Sequence, residues 1–157
     1  MASPSLASPR RAPSGRRPRP IVPGLAGFYD WVEPYTYPLF RLIVGAFLLP
    51  HGLGKLMSGQ APVVATMTHF GVQPAAVMAL CVTAIESLGA LCIVLGFLTR
   101  LWAAALAIEL AVISFVVMLP QGYFRAEPFL LWGLLAFVIA LKGGGRCSID
   151  RLIGWEL

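Results

Sequence analysis

The sequence predicts an all-α membrane protein, a four-helix transmembrane bundle behind a disordered basic N-terminal tail, and three observations lead there. Hydrophobic residues make up 58% of the 157-residue chain and charged residues only 12%, about half the charged share of a typical soluble domain. A water-soluble globule of this size could not hide so much apolar surface, so lipid must act as part of the solvent. The apolar residues gather into four segments with short polar breaks, and the basic residues fall mostly on one side of them.

Residues 1–23 are rich in Pro, Ser and Arg and hold no acid and no apolar run. Such a stretch cannot bury enough surface to offset its ordering entropy, which predicts a disordered tail. It lacks the apolar core, roughly 7 to 15 residues long, that a secretory signal places after its basic region, so export is not expected. The prolines at 4, 9, 13, 18, 20 and 23 oppose the amphipathic helix of a mitochondrial presequence. Phe28, Tyr29, Trp31, Tyr35 and Tyr37 then crowd ahead of the first apolar segment. They read as an aromatic belt at head-group level, on a short interfacial helix ended by Pro34. Residues 1–35 thus form the tail and interfacial segment, and residues 36–157 the membrane domain.

The spans are expected at residues 37–57, 74–98, 101–119 and 124–142. At about 1.5 Å per residue the first three reach the ~30 Å of the hydrocarbon core. The fourth is continuously apolar only over 128–141 and reaches full length if its helix starts near Tyr123 and runs to Gly143. Between the first two spans lies the longest connection, residues 58–73, read as a plain exposed loop. Trp102, Trp132 and Trp155 fall near the predicted interfaces.

With four spans, Arg10, Arg11, Arg16, Arg17, Arg19, Arg41, Arg100, Lys142, Arg146 and Arg151 share one side, against Lys55 and Arg125 on the other. Short loops rich in Lys and Arg stay cytoplasmic, so both termini are expected there, with the chain multi-pass in a bacterial inner membrane. The net charge of +5 then sits mostly on that face, where anionic lipid head groups attract it. Nucleic-acid binding is excluded as a reading, because the basic tail is broken by prolines and carries no aromatic platform. The three cysteines, Cys81, Cys92 and Cys147, form no C-x-x-C. Cys81 and Cys92 share a helix face but stand about 16 Å apart, beyond disulfide reach, which counts against a thiol oxidoreductase.

The residues able to carry chemistry are the polar ones inside the spans. Glu86 lies within an otherwise uncharged apolar run, and an intramembrane carboxylate must face a partner, a cavity or a ligand. It shares a small-residue face with Thr83, Gly89 and Ala90, which lets a neighbour approach closely. Glu109 is near mid-depth in the third span. Each acid either pairs with Arg41, His51, Lys55 or Arg100, or stays protonated as a hydrogen-bond donor. His51 and Lys55 share one face of the first span by their four-residue spacing, with Arg41 about 15 Å below His51. A neutral imidazole both donates and accepts and exchanges protons near neutral pH. Structural alternatives stand beside these roles: Lys55 snorkelling to the interface, Arg41 as a positive-inside anchor, His51 bonding a neighbouring helix. No metal motif is present, and Gly143, Gly144 and Gly145 follow a helix instead of opening one, so they read as a cap and turn.

The run from Arg41 through Gly45, Phe47, His51 and Gly52 to Lys55 resembles the first-helix signature of the DoxX family of small bacterial membrane proteins. Glu86-Ser-Leu-Gly89, Leu95-Gly96-Phe-Leu-Thr99-Arg100 and Gly143 through Asp150 continue the resemblance, the last with Gly144 where the family usually has Pro. The resemblance implies a four-helix inner-membrane protein whose relatives include the membrane subunit of thiosulfate:quinone oxidoreductase and proteins linked to oxidative-stress complexes. With no appended soluble domain, a catalytic partner would be a separate chain.

Three functions are compatible with these features. The leading expectation is a membrane subunit of a redox system that binds quinone in the bundle and works with an electron-donating partner. His51 and Glu86 would supply hydrogen bonds and protons, while Arg41, Lys55, Glu109 and Arg100 would complete the ligand site. No complete catalytic site is expected in the chain alone, and no metal. The second is a non-enzymatic assembly or anchoring protein, its charges forming structural pairs. The third is a small proton-linked transporter, which would need a homo-oligomer to supply the repeats that alternating access commonly uses.

Overall fold

A computed structural model describes residues 21–154. The expected disordered tail, through residue 20, and Trp155 lie outside the described residues. The chain divides between Val32 and Glu33 into two units. In the first, Pro23–Leu25 make one 3-10 turn and helix α1 (Ala26–Ser58) begins. Phe28 and Tyr29 meet edge to face there at 5.8 Å, beside an exposed Trp31.

The second unit holds the rest of α1 and everything after it. α2 (Ala61–His69) is followed by α3 (Ala75–Ala84), a π-helical turn (Ile85–Gly89) and α4 (Ala90–Leu95), which together form one helical span. α5 (Thr99–Val112) runs into a second π-helical turn (Ile113–Met118) and a closing 3-10 turn (Leu119–Gln121). α6 (Tyr123–Lys142) and the short α7 (Ile149–Ile153) complete the chain. Four helices are long and apolar enough to cross a membrane: Pro23–Ser58, Ala75–Leu95, Thr99–Gln121 and Tyr123–Lys142.

Two local expectations need correction. Helix α1 does not stop at Pro34; it continues through Pro34, Pro38 and Pro50. A proline removes one intrahelical bond, but in an apolar setting no water replaces the others, so continuing the helix costs less than breaking it. The connection at 58–73 is not a plain loop either. Pro62 sits in the first turn of α2, where its missing N–H is no loss.

The four spans share one apolar core. Val44 and Leu48 come from the first, Ala90 and Ile93 from the second, Ala103, Leu106 and Leu110 from the third, and Ala136 and Ile139 from the fourth. Outward lie large exposed apolar side chains such as Phe47, Leu80, Ile108, Phe115, Leu134 and Leu141, the inverse of a soluble surface and the one lipid requires. The buried residues of α1, namely Arg41, Val44, Gly45, Leu48 and Gly52, recur at three- and four-residue steps and draw a single stripe. Two glycines on that stripe set the helix separation. A Cβ on Gly45 would stand 2.7 Å from Val94 Cγ2 and 3.0 Å from the Ala90 carbonyl, and one on Gly52 would strike the backbone of Glu86 and Ser87.

A polar lock closes one end of the bundle. Arg41, 3% exposed, donates through Nη1 to the Gly144 carbonyl and through Nη2 to the carbonyls of Cys147 at 2.6 Å and Val94 at 3.4 Å. Tyr37 donates to the Gly143 carbonyl. Asp150 accepts from the Leu98 amide at 2.7 Å, the Thr99 amide at 3.0 Å and the Thr99 hydroxyl at 2.7 Å, while its own amide donates to Gly96 at 2.9 Å. These bonds satisfy the first amides of α5, which its own helix cannot. They also hold Leu98 at φ 46°, a backbone region costly for a branched side chain.

Gly52→Ala should lower thermal stability in detergent by about 1 to 3 kcal/mol or more, since the new methyl meets main chain that cannot rotate away. Gly54→Ala, where a Cβ meets nothing within 4 Å, should leave the melting temperature unchanged. Asp150→Ala should cost on the order of 3 kcal/mol in the same assay, because two amides and a hydroxyl lose a charged acceptor.

Candidate functional site

The second polar cluster forms where Gly52 brings the first span onto the second. Three residues beyond that contact, Lys55 Nζ lies 2.5 Å from Glu86 Oε2. Glu86 sits in the π-helical turn Ile85–Gly89. A π-turn widens the helix, and here Glu86, Ser87 and Gly89 are all buried together with Ala90. Such insertions often mark functional sites. The third span contributes Glu109, whose carboxyl lies beside that of Glu86 and within electrostatic reach of Lys55. Glu86 and Glu109 are 6% and 8% exposed.

The hydrogen-bond inventory of the three is uneven. Lys55 and Glu86 hold one another, but both oxygens of Glu109 are buried with no donor in hydrogen-bond geometry. Two facing carboxylates offer only acceptors, so they can bond each other only if one carries a proton. One turn before Glu86, the buried Thr83 hydroxyl meets the Gln60 side chain, with Gln60 Nε2 to Thr83 Oγ1 at 3.2 Å, and donates to the Ala79 carbonyl at 2.9 Å. Ser87 Oγ donates to the Thr83 carbonyl at 2.5 Å. Gln60, just after α1, and Ser87 were not among the residues the sequence singled out; the polar–small run Glu86-Ser-Leu-Gly89 was the available signal for Ser87, whereas nothing local marked Gln60.

Of the six expected site residues, the structure brings Lys55, Glu86 and Glu109 together. His51 is exposed on the surface of α1, with Nδ1 3.2 Å from its own Phe47 carbonyl. It shares a face with Lys55 but not the buried stripe. Arg41 lies fourteen residues from Lys55, about 21 Å along the helix, and is engaged by the carbonyls of the C-terminal lock. Arg100 is in the opening turn of α5, about 13 Å along the axis from Glu109. Among the described residues no group of three His, Cys, Asp or Glu side chains is placed to hold a metal ion, and Cys81, Cys92 and Cys147 are free thiols.

An open groove of about 620 Å³ runs between the third and fourth spans, over Ala107, Ala111 and Gly133 and between Phe115 and Phe137. Glu109 points to a different side of the same helix, toward Leu106 and Leu110 in the core, so groove and acid cluster are separate features.

The family model described as DoxX matches residues 37–119, more than half of the chain. That stretch includes Lys55, Glu86 and Glu109 and ends before the fourth span. No curated protein and no solved structure matches the chain.

Lys55→Met strips the buried carboxyls of their cation. Breaking a buried pair costs roughly 3 to 5 kcal/mol, less here because Lys55 is partly exposed, so a loss of about 2 kcal/mol is expected in thermal unfolding. Lys55→Met combined with Glu86→Gln should recover more than half of that loss.

Proposed function

The chain belongs to the DoxX family, and from that membership and its buried acid pair we propose that it is the membrane subunit of a redox system, binding quinone from the lipid phase and working with a separate electron-donating protein. The observation that carries this reading is the arrangement of one cation and two carboxyls inside the bundle. Lys55 balances one carboxylate, and burying a second unbalanced charge costs several kcal/mol. The pair is therefore lowest in energy with one proton, held between Glu109 and Glu86. Reduction of a quinone to a quinol consumes two electrons and two protons. On this reading the electrons come from the partner, one proton comes from the store between the two acids, and the second comes from solvent.

The exposure of the cluster gives the route. Glu86 and Glu109 are both buried, Lys55 is partly exposed, and His51, one turn from Lys55, faces outward. A lipid-soluble quinone would meet the cluster at Lys55, whose ammonium favours negative charge developing on a quinone oxygen. His51 bonds its own helix through Nδ1 and keeps Nε2 for a ligand. Arg41 and Arg100 have no part in this version of the site.

A second reading is favoured by one observation. Gly52 rests directly on the Glu86 backbone, which leaves no space between the first two spans at that level and suits an ion pair whose work is to join helices. On that reading the protein is an assembly or anchoring subunit. We further propose the inner membrane as its location, with both termini cytoplasmic, on the asymmetry of its basic residues.

Quinone extracted from the purified protein and quantified by mass spectrometry should approach one per chain. It should fall at least about tenfold in Glu109→Gln, a change that preserves shape and leaves the Lys55–Glu86 pair intact. Quinone no higher than in an unrelated membrane protein, together with a Glu86→Gln variant that fails to assemble, would move the assignment to the anchoring role.

A further inference from the structure

Opposite in character to the acid pair is a cleft of about 420 Å³ at the end of the fourth span, lined by Lys142, Arg146, Ser148 and Arg151 among others. Lys142 is the last residue of α6, and Arg146 and Arg151 flank the start of α7; all three are exposed. Lys142 Nζ also lies 5.0 Å from the centre of the Tyr37 ring. The cleft holds one acid among the described residues, Asp150, and that carboxylate is 5% exposed, with both oxygens bonded to Leu98 and Thr99. Behind it Arg41, within electrostatic reach of Asp150, offsets its charge. Three exposed cations therefore line one concavity in which the one acid among the described residues is already engaged.

From this geometry we infer that the cleft between Lys142, Arg146 and Arg151 binds the phosphate of an anionic phospholipid head group. The lipid source is chosen over a free phosphate by what borders the cleft. Leu152 and Ile153, on the same short helix as Arg151, are 86% and 55% exposed, apolar surface that an acyl chain covers and an inorganic anion does not. The cleft also begins where a membrane span ends, the depth at which head groups lie. Guanidinium groups suit a phosphate because their paired N–H donors match its oxygens. This binding would press the C-terminal segment, already bonded to Arg41 and the α5 N-terminus, against the membrane surface.

The test uses the full chain in neutral detergent, with phosphatidylglycerol or phosphatidylcholine titrated in and bound lipid counted by native mass spectrometry. Phosphatidylglycerol should bind at least about tenfold more tightly, and the double variant Arg146→Gln, Arg151→Gln should lose most of that preference at an unchanged melting temperature, since two of three cations are gone. Replacing Arg10, Arg11, Arg16, Arg17 and Arg19 by Gln should leave it intact. Equal binding of the two lipids, an unaltered preference in the double variant, or loss of preference in the tail variant alone would overturn the inference. So would displacement of the lipid by excess inorganic phosphate, which would assign the cleft to a free anion.

Discussion

The contact of Gly52 with the backbone of Glu86 is the constraint from which the Lys55 end of the bundle follows. Between two helices in lipid there is no hydrophobic driving force, so close van der Waals approach and buried polar pairs must hold them together. Glycine at 52 removes the side chain that would keep the backbones apart. Because the helices touch there, Lys55, one turn on, reaches Glu86 with its ammonium instead of extending to the interface. Glu86, Ser87 and Gly89 all lie in the π-helical turn and are buried there. Gly89 in turn accepts the Trp102 ring, where a Cβ would stand 2.7 Å from an indole carbon, and so admits the third span that carries Glu109.

The polar residues of the spans divide into two clusters with different chemistry. At one end Arg41 is answered through both Nη atoms by backbone carbonyls, with its Nε left without a partner, and Asp150 by amides and a hydroxyl. Each charge is placed against dipoles already oriented by a turn, and each also fills bonds that helix ends leave open. That cluster reads as architecture: it ties the segment after the fourth span to the turn between the second and third. The other cluster sets charge against charge and leaves the oxygens of Glu109 without donors. An unsatisfied buried acid is expensive, and such groups in a membrane commonly belong to a working site. The proposed proton role draws on that contrast.

The fold class was legible because it depends on composition and period alone. Four apolar segments of membrane length specify four helices whatever their neighbours are, since lipid offers unpaired backbone no other solution. Gly96, Gly122 and Gly143 follow directly on the second, third and fourth spans. The error at Pro34 came from treating proline as a stop. In a long apolar helix the intact bonds on either side outweigh the one that is lost.

The sequence by itself determined that Glu86 and Glu109 are costly to bury and must be answered inside the bundle, because that follows from residue type and depth. It could not determine which of six polar residues answer one another, for that depends on how each helix is rotated about its axis. A rotation of one residue's worth, about 100°, exchanges His51 for Gly52 on the buried stripe. Tertiary packing made that choice. The smallest residue went against the neighbouring backbone, His51 faced outward, and Lys55 was carried inward to the acids. Arg41 and Asp150, about 110 residues apart in the chain, were likewise joined to the same turn only by the closing of the bundle.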